Sequence, residues 1–191
     1  MNKPVLYLNT CVRQESRTKK LADTLLASLG KPYQEVRLHE ISFPVVNEEF
    51  LAKRDSLLLA GDFSNPLFQL ARDFAAAEEI VIAAPYYDLS FPATLKQYLE
   101  QVNVVGITFK YTEEGFPVGL CKAKRIYYVT TAGGTFAPHD FGFGYVKALA
   151  ENYYGIPDVR LLEATGLDII GADVDAILKE AEEKIEGITK V

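Results

Sequence analysis

A polar segment at residues 9–18 carries side chains that suit the binding of an anion. Thr10, Ser16 and Thr18 supply hydroxyl groups, and Arg13 and Arg17 supply positive charge. Ser16 is a suitable N-cap for the helix that the following residues predict. Because the first turn of a helix has free backbone N–H groups and the positive end of the helix dipole, this segment is a candidate phosphate site. In the alternative interpretation Ser16 only caps the helix and the arginines are solvated.

An aromatic and acidic loop is the second candidate ligand site, and it follows the apolar run at residues 80–84. The loop contains Tyr86, Tyr87, Asp88 and Leu89. The β-branched run before it predicts a strand that is buried on both faces. Ligands of open α/β sheets bind outside the carboxyl ends of such strands. The two adjacent tyrosines suit a flat aromatic ligand, although they could equally serve only to cover the core.

A glycine-containing loop is the third candidate, and it follows a strand predicted at residues 125–130. Its residues are Thr131, Ala132, Gly133 and Gly134. Glycines let the backbone approach a ligand closely, although an ordinary tight turn has the same composition. Three such loops at one edge of a parallel sheet combine an anion site with aromatic rings. A mononucleotide flavin or another nucleotide is the kind of ligand that this combination suits.

Several other chemistries lack their motifs in this sequence. No GxxxxGK[ST] motif follows the first predicted strand, which excludes a P-loop nucleotide hydrolase, and no GxGxxG motif indicates a tightly bound dinucleotide. Without a GxSxG motif the chain offers no hydrolase nucleophile. The first strand is not followed by paired acidic residues, which argues against a receiver domain. No CxxC motif or Cys/His cluster predicts a metal site.

Strands and helices alternate along the chain, as in a three-layer α/β sandwich. Apolar or alternating runs predict five strands, at residues 4–8, 34–39, 80–84, 125–130 and 159–162. Helical periodicity predicts helices that begin near residues 16, 48, 66, 92, 145 and 174. Residues 106–111 alternate at period two, a Glu-Glu-Gly turn follows at 113–115, and residues 116–118 come after it, which predicts a hairpin. With the second strand at an edge, we predict one domain, residues 1–191, whose parallel sheet has the flavodoxin-like order 2-1-3-4-5.

The composition of the chain limits the kinds of binding partner and the cellular compartment that we expect. The 191 residues have a net charge of −6 and a pI near 5.0, which argues against nucleic acid or an acidic membrane as a partner. No apolar run approaches the roughly 20 residues of a membrane span, and the first run is too short for a signal peptide. Cys11 and Cys121 cannot form a disulfide framework. We therefore expect a protein of the reducing cytoplasm.

Three stretches carry a resemblance to a known family. They read VIAAPYYD at 81–88 with ATLKQY at 93–98, GITFKYTE at 106–113 followed by Gly119 and Leu120, and TAGG at 131–134. These stretches resemble the FMN-dependent NAD(P)H azoreductases and quinone reductases. The resemblance extends from Val5 to the last helix and is most specific in its central block. It implies a flavodoxin-like fold, a non-covalently bound FMN, and a homodimer with active sites at the interface.

The resemblance also implies roles for individual residues. Those at the FMN phosphate would be Thr10, Ser16, Arg17 and Thr18. Those lining the isoalloxazine ring would be Tyr86, Tyr87, Asp88 and Leu89, and those at its other edge would be Thr131, Ala132, Gly133 and Gly134. Phe136 and His139 would lie near the exposed face of the ring, with His139 as an optional proton donor. The hairpin at residues 111–118 would reach toward the site of a partner subunit.

Two positions depart from the pattern of that family. Asp88 stands where the family usually has Asn, and an ionised Asp accepts hydrogen bonds but cannot donate one. A carboxylate near the ring is expected to disfavour the anionic reduced flavin and to lower its reduction potential. Cys11 follows Thr10 where the family usually has two serines, and its expected role is that of a packed thiol rather than a redox group.

The activity implied by the resemblance is electron transfer from NADH or NADPH to quinones and azo compounds. A two-electron ping-pong cycle through one shared site would need no nucleophile or acid–base pair, because the cofactor carries the chemistry. The main rival is a flavodoxin-like electron carrier that binds FMN without turning over a substrate. The hairpin and the extra chain length favour the reductase. A flavin-free scaffold that only dimerises is a third alternative.

Overall fold

A five-stranded parallel sheet forms the centre of the computed structural model, which describes residues 5–190. The described residues form five strands of this sheet and two further strands, β4 and β5, that pair separately. In chain order they are β1 (Val5–Asn9), β2 (Tyr33–Arg37), β3 (Glu79–Ala83), β4 (Phe109–Tyr111), β5 (Pro117–Gly119), β6 (Arg125–Thr131) and β7 (Asp158–Ala164). The sheet order is β2-β1-β3-β6-β7, with every neighbouring pair parallel. Counted by sheet strands alone this is the order 2-1-3-4-5, so the predicted fold class is confirmed. The antiparallel pair β4–β5 confirms the hairpin, whereas Pro4 of the predicted first strand lies outside the described residues.

Helices cover both faces of the sheet. They are α1 (Arg17–Leu29), α2 (Glu48–Leu59), α3 (Gln69–Ala76), α4 (Ala93–Val102), α5 (Phe143–Leu149), α6 (Val174–Glu183) and α7 (Ile185–Thr189). Helices α1, α6 and α7 pack on one face, and α3, α4 and α5 pack on the other. Helix α2 has no fully buried residue and packs at the margin of the core on this second face through the partly buried Leu57 and Leu58.

Alternate residues of the central strands enter two separate apolar cores. In β3, Ile80 and Ile82 pack toward α3 and α4, whereas Val81 and Ala83 pack toward α1. All four side chains are at most 1% exposed. Such burial on both faces explains why the sequence of β3 is continuously apolar rather than alternating. It also fixes the register, because a shift of one residue would exchange the two cores.

The ends of several elements differ from the pattern-based expectation. The second strand ends at Arg37, and Leu38 lies in a 3₁₀ turn that buries it completely instead of extending the strand. The helix predicted to begin near residue 145 begins at Phe143 and widens to a π-helix over Ala150–Tyr154 before Gly155 ends it at φ +73°. The last predicted helix divides at Lys184 into α6 and α7. Each difference leaves the connection of strands unchanged.

Helix α1 is capped at both ends, and Ser16 is the N-cap that the sequence predicts. Ser16 adopts an extended N-cap conformation, and its hydroxyl accepts a hydrogen bond from the N–H of Lys19 at 3.2 Å. Gly30 ends the helix at φ +60°, where its N–H donates to carbonyls of the last turn. The start of α1 is thereby fixed at the carboxyl edge of the sheet.

Between residues 5 and 190, no helix has both the length and the apolar character needed to cross a bilayer.

Candidate functional site

A cleft of about 280 Å³ opens at the carboxyl edge of the sheet, where the loops after β1, β3, β6 and β7 meet. Of the predicted site residues, it brings together Ser16, Arg17, Thr18, Tyr86, Tyr87, Thr131, Ala132 and Gly133. Its remaining lining residues are Cys11, Val12, Arg13, Glu15, Pro85, Leu167 and Asp168. This location agrees with the general position of ligand sites in open α/β sheets.

The loop after β1 and the start of α1 form one end of the cleft. The backbone N–H groups of Arg17 and Thr18 lie in the first helical turn, where no preceding turn supplies an acceptor. The hydroxyls of Thr18 and Thr131 are 2.6 Å apart, which joins this end to the loop after β6. Free N–H groups, hydroxyls and the positive end of a helix dipole make this end suitable for an anion.

Thr10 does not line the cleft, although it was predicted to contact a phosphate. Its hydroxyl donates to the carbonyl of Ala83 at 2.9 Å, and its side chain is 1% exposed. Its backbone N–H donates to the same carbonyl at 3.1 Å. Thr10 therefore braces the end of β1 against β3 beneath the loop. Its predicted role at a phosphate stays a prediction, and in this geometry the role needs the hydroxyl to turn outward.

The loop after β3 supplies two aromatic side chains to the cleft. The N–H of Tyr86 donates to the carbonyl of Thr131 at 3.0 Å, and its hydroxyl donates to the carbonyl of Pro138 at 3.2 Å. Tyr86 is thus attached both to the last residue of β6 and to the loop that follows this strand. Tyr87 lines the cleft beside it and is 38% exposed, which leaves its ring available to a ligand.

Asp88 and Leu89 form the tip of a tight turn beside the cleft. Tyr87 and Ser90 exchange two backbone hydrogen bonds across the turn, at 3.1 and 2.7 Å. Asp88 has φ +50° and Leu89 has φ +67°, the pattern of a type I′ turn. Neither side chain is among those that line the cleft. Left-handed backbone costs a non-glycine residue about 1–2 kcal/mol, and such strain is often found at functional sites.

The glycine loop after β6 is attached to the loop after β7. The N–H groups of Gly166, Leu167 and Asp168 donate to the carbonyls of Gly134, Ala132 and Gly133, at 2.9, 3.2 and 2.9 Å. Gly133 lines the cleft, whereas Gly134 lies beside it. The loop after β7 is the part of the site that the sequence analysis missed. Residues Gly166–Asp168 follow the fifth strand of the sheet closely, and ligands bind outside the carboxyl ends of parallel strands. The sequence could therefore have indicated this loop as well.

Arg17 and Asp168 form an ion pair at the mouth of the cleft. Nη1 of Arg17 donates to Oδ1 of Asp168 at 2.7 Å and to the carbonyl of Leu167 at 3.3 Å. The Arg17 side chain is 41% exposed and that of Asp168 is 70% exposed. The predicted cationic residue of the anion site is therefore already in contact with a carboxylate.

His139 and Phe136 lie outside the cleft lining. Nε2 of His139 is 2.9 Å from Oε2 of Glu163 on β7, so the imidazole is held against the edge strand. Phe136 is 79% exposed in the same loop. His139 remains a candidate proton donor only as a prediction, because in this geometry its ring contacts Glu163 and Phe143.

Cys11 lines the cleft as a packed thiol. It is 5% exposed, and burial raises its pKa above the ordinary value, although a hydrogen bond with Ser16 acts in the opposite direction. The neutral thiol is therefore the form at neutral pH, which disfavours a nucleophilic role. Within residues 5–190 no group of three or more His, Cys, Asp or Glu side chains is placed to hold a metal ion.

These features define the class of the protein as a flavodoxin-like α/β protein whose cleft joins a helix N-terminus to aromatic side chains. Residues 3–188 match a protein family described as having the flavodoxin-like fold, and the chain belongs to that family.

Named relatives agree with this assignment. An FMN-dependent NADH:quinone oxidoreductase of Clostridium perfringens (strain SM101 / Type A) is 35% identical over 195 residues, which cover 97% of this chain and 98% of the relative. Two solved structures from Bacillus anthracis have the same fold. An azoreductase of strain Sterne has a TM-score of 0.84 at 21% identity and 98% coverage of both chains. An FMN-dependent NADH-azoreductase of strain Ames Ancestor in complex with FMN has a TM-score of 0.81 at 23% identity, covering 99% of this chain and 98% of that one.

The cleft residues of this chain fit FMN. The phosphate needs several donors, and the start of α1 offers backbone N–H groups together with the hydroxyls of Ser16 and Thr18. The flat ring needs an aromatic or open backbone surface, and Tyr86, Tyr87 and Gly133 offer one along the same cleft. The donor set therefore suits both ends of the molecule.

Proposed function

We propose that this chain is an FMN-dependent oxidoreductase that transfers two electrons from NADH or NADPH to quinones and azo compounds. The observation that carries the proposal is the single cleft that joins the start of α1 to Tyr86 and Tyr87. The names of the relatives, FMN-dependent NADH:quinone oxidoreductase and azoreductase, support the same class of reaction.

The residues of the chain bind and orient the cofactor. Ser16 and Thr18, with the N–H groups of the first turn of α1, would hold the phosphate, and Arg17, which is paired with Asp168, lies at the same end. Tyr86 is kept in position by its bonds to Thr131 and Pro138, so one side of the ring pocket is rigid. When bound, FMN supplies the capacity to accept a hydride from a nicotinamide and to pass two electrons to an acceptor.

The surroundings of the cleft suit planar acceptors of different shapes. Phe136 and Phe141 are 79% and 62% exposed in the loop after β6, and apolar rings at such positions contact flat molecules without demanding one hydrogen-bond pattern. Phe91, in the loop after β3, packs instead on Tyr145 with ring centroids 5.8 Å apart. We propose that the nicotinamide and the acceptor occupy this surface in turn, which is a ping-pong cycle.

A homodimer is part of the proposal. The hairpin β4–β5 and its flanks carry exposed apolar side chains, namely Val105, Tyr111, Phe116, Val118 and Leu120, each at least 37% exposed. A surface of this kind on a soluble domain is typical of a protein–protein interface. We place the dimer interface on this surface.

We also place the protein in a reducing cytoplasm, because Cys11 and Cys121 are free thiols.

The test combines cofactor binding with turnover. The purified protein is titrated with FMN and followed by flavin absorbance and fluorescence, and NADH oxidation is then measured with and without a soluble quinone. We expect saturable FMN binding, quinone-dependent turnover and parallel lines in double-reciprocal plots at varied quinone. FMN binding without turnover would instead identify an electron carrier, and no binding of FMN would overturn the proposal.

A matched pair of variants tests the site itself. Thr18→Val removes a cleft hydroxyl with little change in shape, and Thr24→Val makes the same change on α1 outside the cleft. We expect Thr18→Val to raise the dissociation constant for FMN about tenfold, the effect of losing a hydrogen bond to a charged group. Thr24→Val should leave the constant unchanged.

A further inference from the structure

Asp168 places a negative charge at the end of the cleft that suits an anion. It lines the cleft together with Arg17, Ser16 and Thr18. The backbone of Asp168 and of the residue before it is fixed, because the N–H groups of Leu167 and Asp168 donate to the loop after β6. Although the Asp168 side chain is 70% exposed, the backbone that carries it cannot move away from the cleft without breaking these hydrogen bonds.

The carboxylate of Asp168 lies directly against Gly133. A Cβ atom built on Gly133 would be 2.2 Å from Oδ2 of Asp168 and 2.9 Å from its Cγ. The absence of a side chain at position 133 is what allows the carboxylate to lie across this part of the glycine loop. Asp168 thus lies over Gly133 at the mouth of the cleft rather than pointing away from it.

Arg17 is the partner of that carboxylate. Nη1 uses its donors on Oδ1 of Asp168 and on the carbonyl of Leu167, at 2.7 and 3.3 Å. The charged side chains that line the cleft are Arg13, Arg17, Glu15 and Asp168, and within the described residues Arg17 and Asp168 are the two of these that form an ion pair. The cation nearest the start of α1 is therefore neutralised by the protein itself.

We propose that Asp168 is a built-in competitor of the cofactor phosphate, which sequesters Arg17 and weakens the hold of the cleft on FMN. The inference rests on the proposed function and adds a residue that sets how readily the cofactor exchanges. A phosphate monoester carries about 1.5 to 2 negative charges at neutral pH. When it binds beside Asp168 it meets a like charge, and it must share Arg17 with that charge.

Removal of the charge tests the competition. Asp168→Asn keeps the size of the side chain and an oxygen that accepts a hydrogen bond from Arg17, but it removes the negative charge. We expect the dissociation constant for FMN to fall about three- to tenfold at low salt, and the gain to shrink as salt screens the site. The matched control is Glu180→Gln, which removes one charge from a side chain 71% exposed on α6 and should leave the constant unchanged.

Riboflavin separates a phosphate effect from a change in the ring pocket. It has the same ring as FMN but no phosphate, so its affinity should be the same for the native protein and for Asp168→Asn. An equal gain for riboflavin and FMN would overturn the proposal, because the variant would then have acted on the ring or on the fold.

The dependence on Arg17 is tested by a double-mutant cycle. If Asp168 acts by sequestering Arg17, the gain from Asp168→Asn should be smaller in an Arg17→Gln background. An undiminished gain in that background would overturn the sequestration, as would FMN binding that is unchanged or weaker in the single variant. Failure of the native protein to bind FMN at all would instead contradict the proposed function.

Discussion

Asp88 combines two unusual properties at one residue, a left-handed backbone and a carboxylate beside the proposed ring site. At φ +50° it occupies a region that Asn and Asp enter more readily than other non-glycine residues. Leu89 at φ +67° has no such preference, so the turn carries its strain mainly there. The conformation therefore tolerates Asn at position 88, which isolates the effect of the charge.

Substitution of that carboxylate should change the redox properties of the bound cofactor. We expect Asp88→Asn to raise the midpoint potential by roughly 10–30 mV, because 30 mV corresponds to about 1.4 kcal/mol for a two-electron couple and a nearby negative charge disfavours the anionic reduced flavin. Spectroelectrochemical titration measures the shift. Asp140→Asn, with the same charge change on an exposed side chain outside the cleft, should give a smaller one. Equal potentials in the native protein and Asp88→Asn would rule out the effect.

At the level of elements, the hairpin β4–β5 is attached to the rest of the fold by an unusually close backbone contact. A Cβ atom built on Gly119 would be 2.2 Å from the backbone N of Gly155 and from the backbone carbonyl carbon of Tyr154. Phe109 on the neighbouring strand stacks on Tyr153 with ring centroids 4.6 Å apart. The hairpin and the π-helix before Gly155 therefore form one packed unit.

This contact makes Gly119 sensitive to the smallest substitution. We expect Gly119→Ala to lower the free energy of unfolding by roughly 2–4 kcal/mol, because backbone atoms cannot give way to a methyl group as a flexible side chain can. Denaturant titration measures the change. Gly187→Ala is the matched control, since a Cβ there meets nothing within 4 Å and alanine favours helix. Similar stability of the two variants would contradict the close contact.

The elements also mark the limit of what the sequence can predict. Apolar runs predict the strands, and Ser16 predicts the start of α1, because these signals are local. The direction of the Thr10 side chain depends on where β1 ends, and the strain at Leu89 has no signature in composition. The contact between Arg17 and Asp168 spans 151 positions and depends on the register of β7 against β6, which no local pattern specifies.

At the scale of the whole molecule, the proposed dimer makes the hairpin surface the first place to test. Phe116 is 68% exposed near the tip of the hairpin. We expect Phe116→Glu to convert the dimer into a monomer, because a charge in an apolar interface loses its hydration without gaining a partner. Light scattering after size exclusion measures the mass. Ile170→Glu, a similar change at an exposed residue of the β7–α6 loop, should remain dimeric, and a native protein that elutes as a monomer would refute the interface.

Asp158 connects distant parts of the chain through two arginines. Its Oδ2 accepts from Nε of Arg125 at 2.6 Å, and its Oδ1 accepts from Nε of Arg160 at 2.8 Å. Arg160 also donates to the carbonyls of Ile188 and Lys190, so β6, β7 and the residues after α6 are linked. Hydrogen bonds from Arg160 and Arg125 lower the pKa of Asp158 below its ordinary value, although burial acts in the opposite direction.

The lowered pKa predicts a pH-dependent contribution to stability. Because the folded state favours the ionised form, the contribution is present above the unfolded pKa near 3.8 and is lost as the pH falls toward the lower folded value. We expect Asp158→Asn to lower the Tm at pH 7 by roughly 2–6 °C, and we expect the difference to shrink as the pH falls below 3.8. Thermal melts across this range measure it, with Asp55→Asn on the exposed α2 as control. A difference that persists unchanged at low pH would contradict the assignment.

The assembly of the cleft from loops after four strands has a consequence for biosynthesis. Thr18 reaches Thr131, and Arg17 reaches Asp168, so the pocket closes only around residues from both ends of the chain. Nearly the entire polypeptide must therefore have left the ribosome before the cleft can form and bind the cofactor. We therefore expect FMN to bind only after synthesis of the chain is nearly complete, and we expect truncated translation products not to bind FMN.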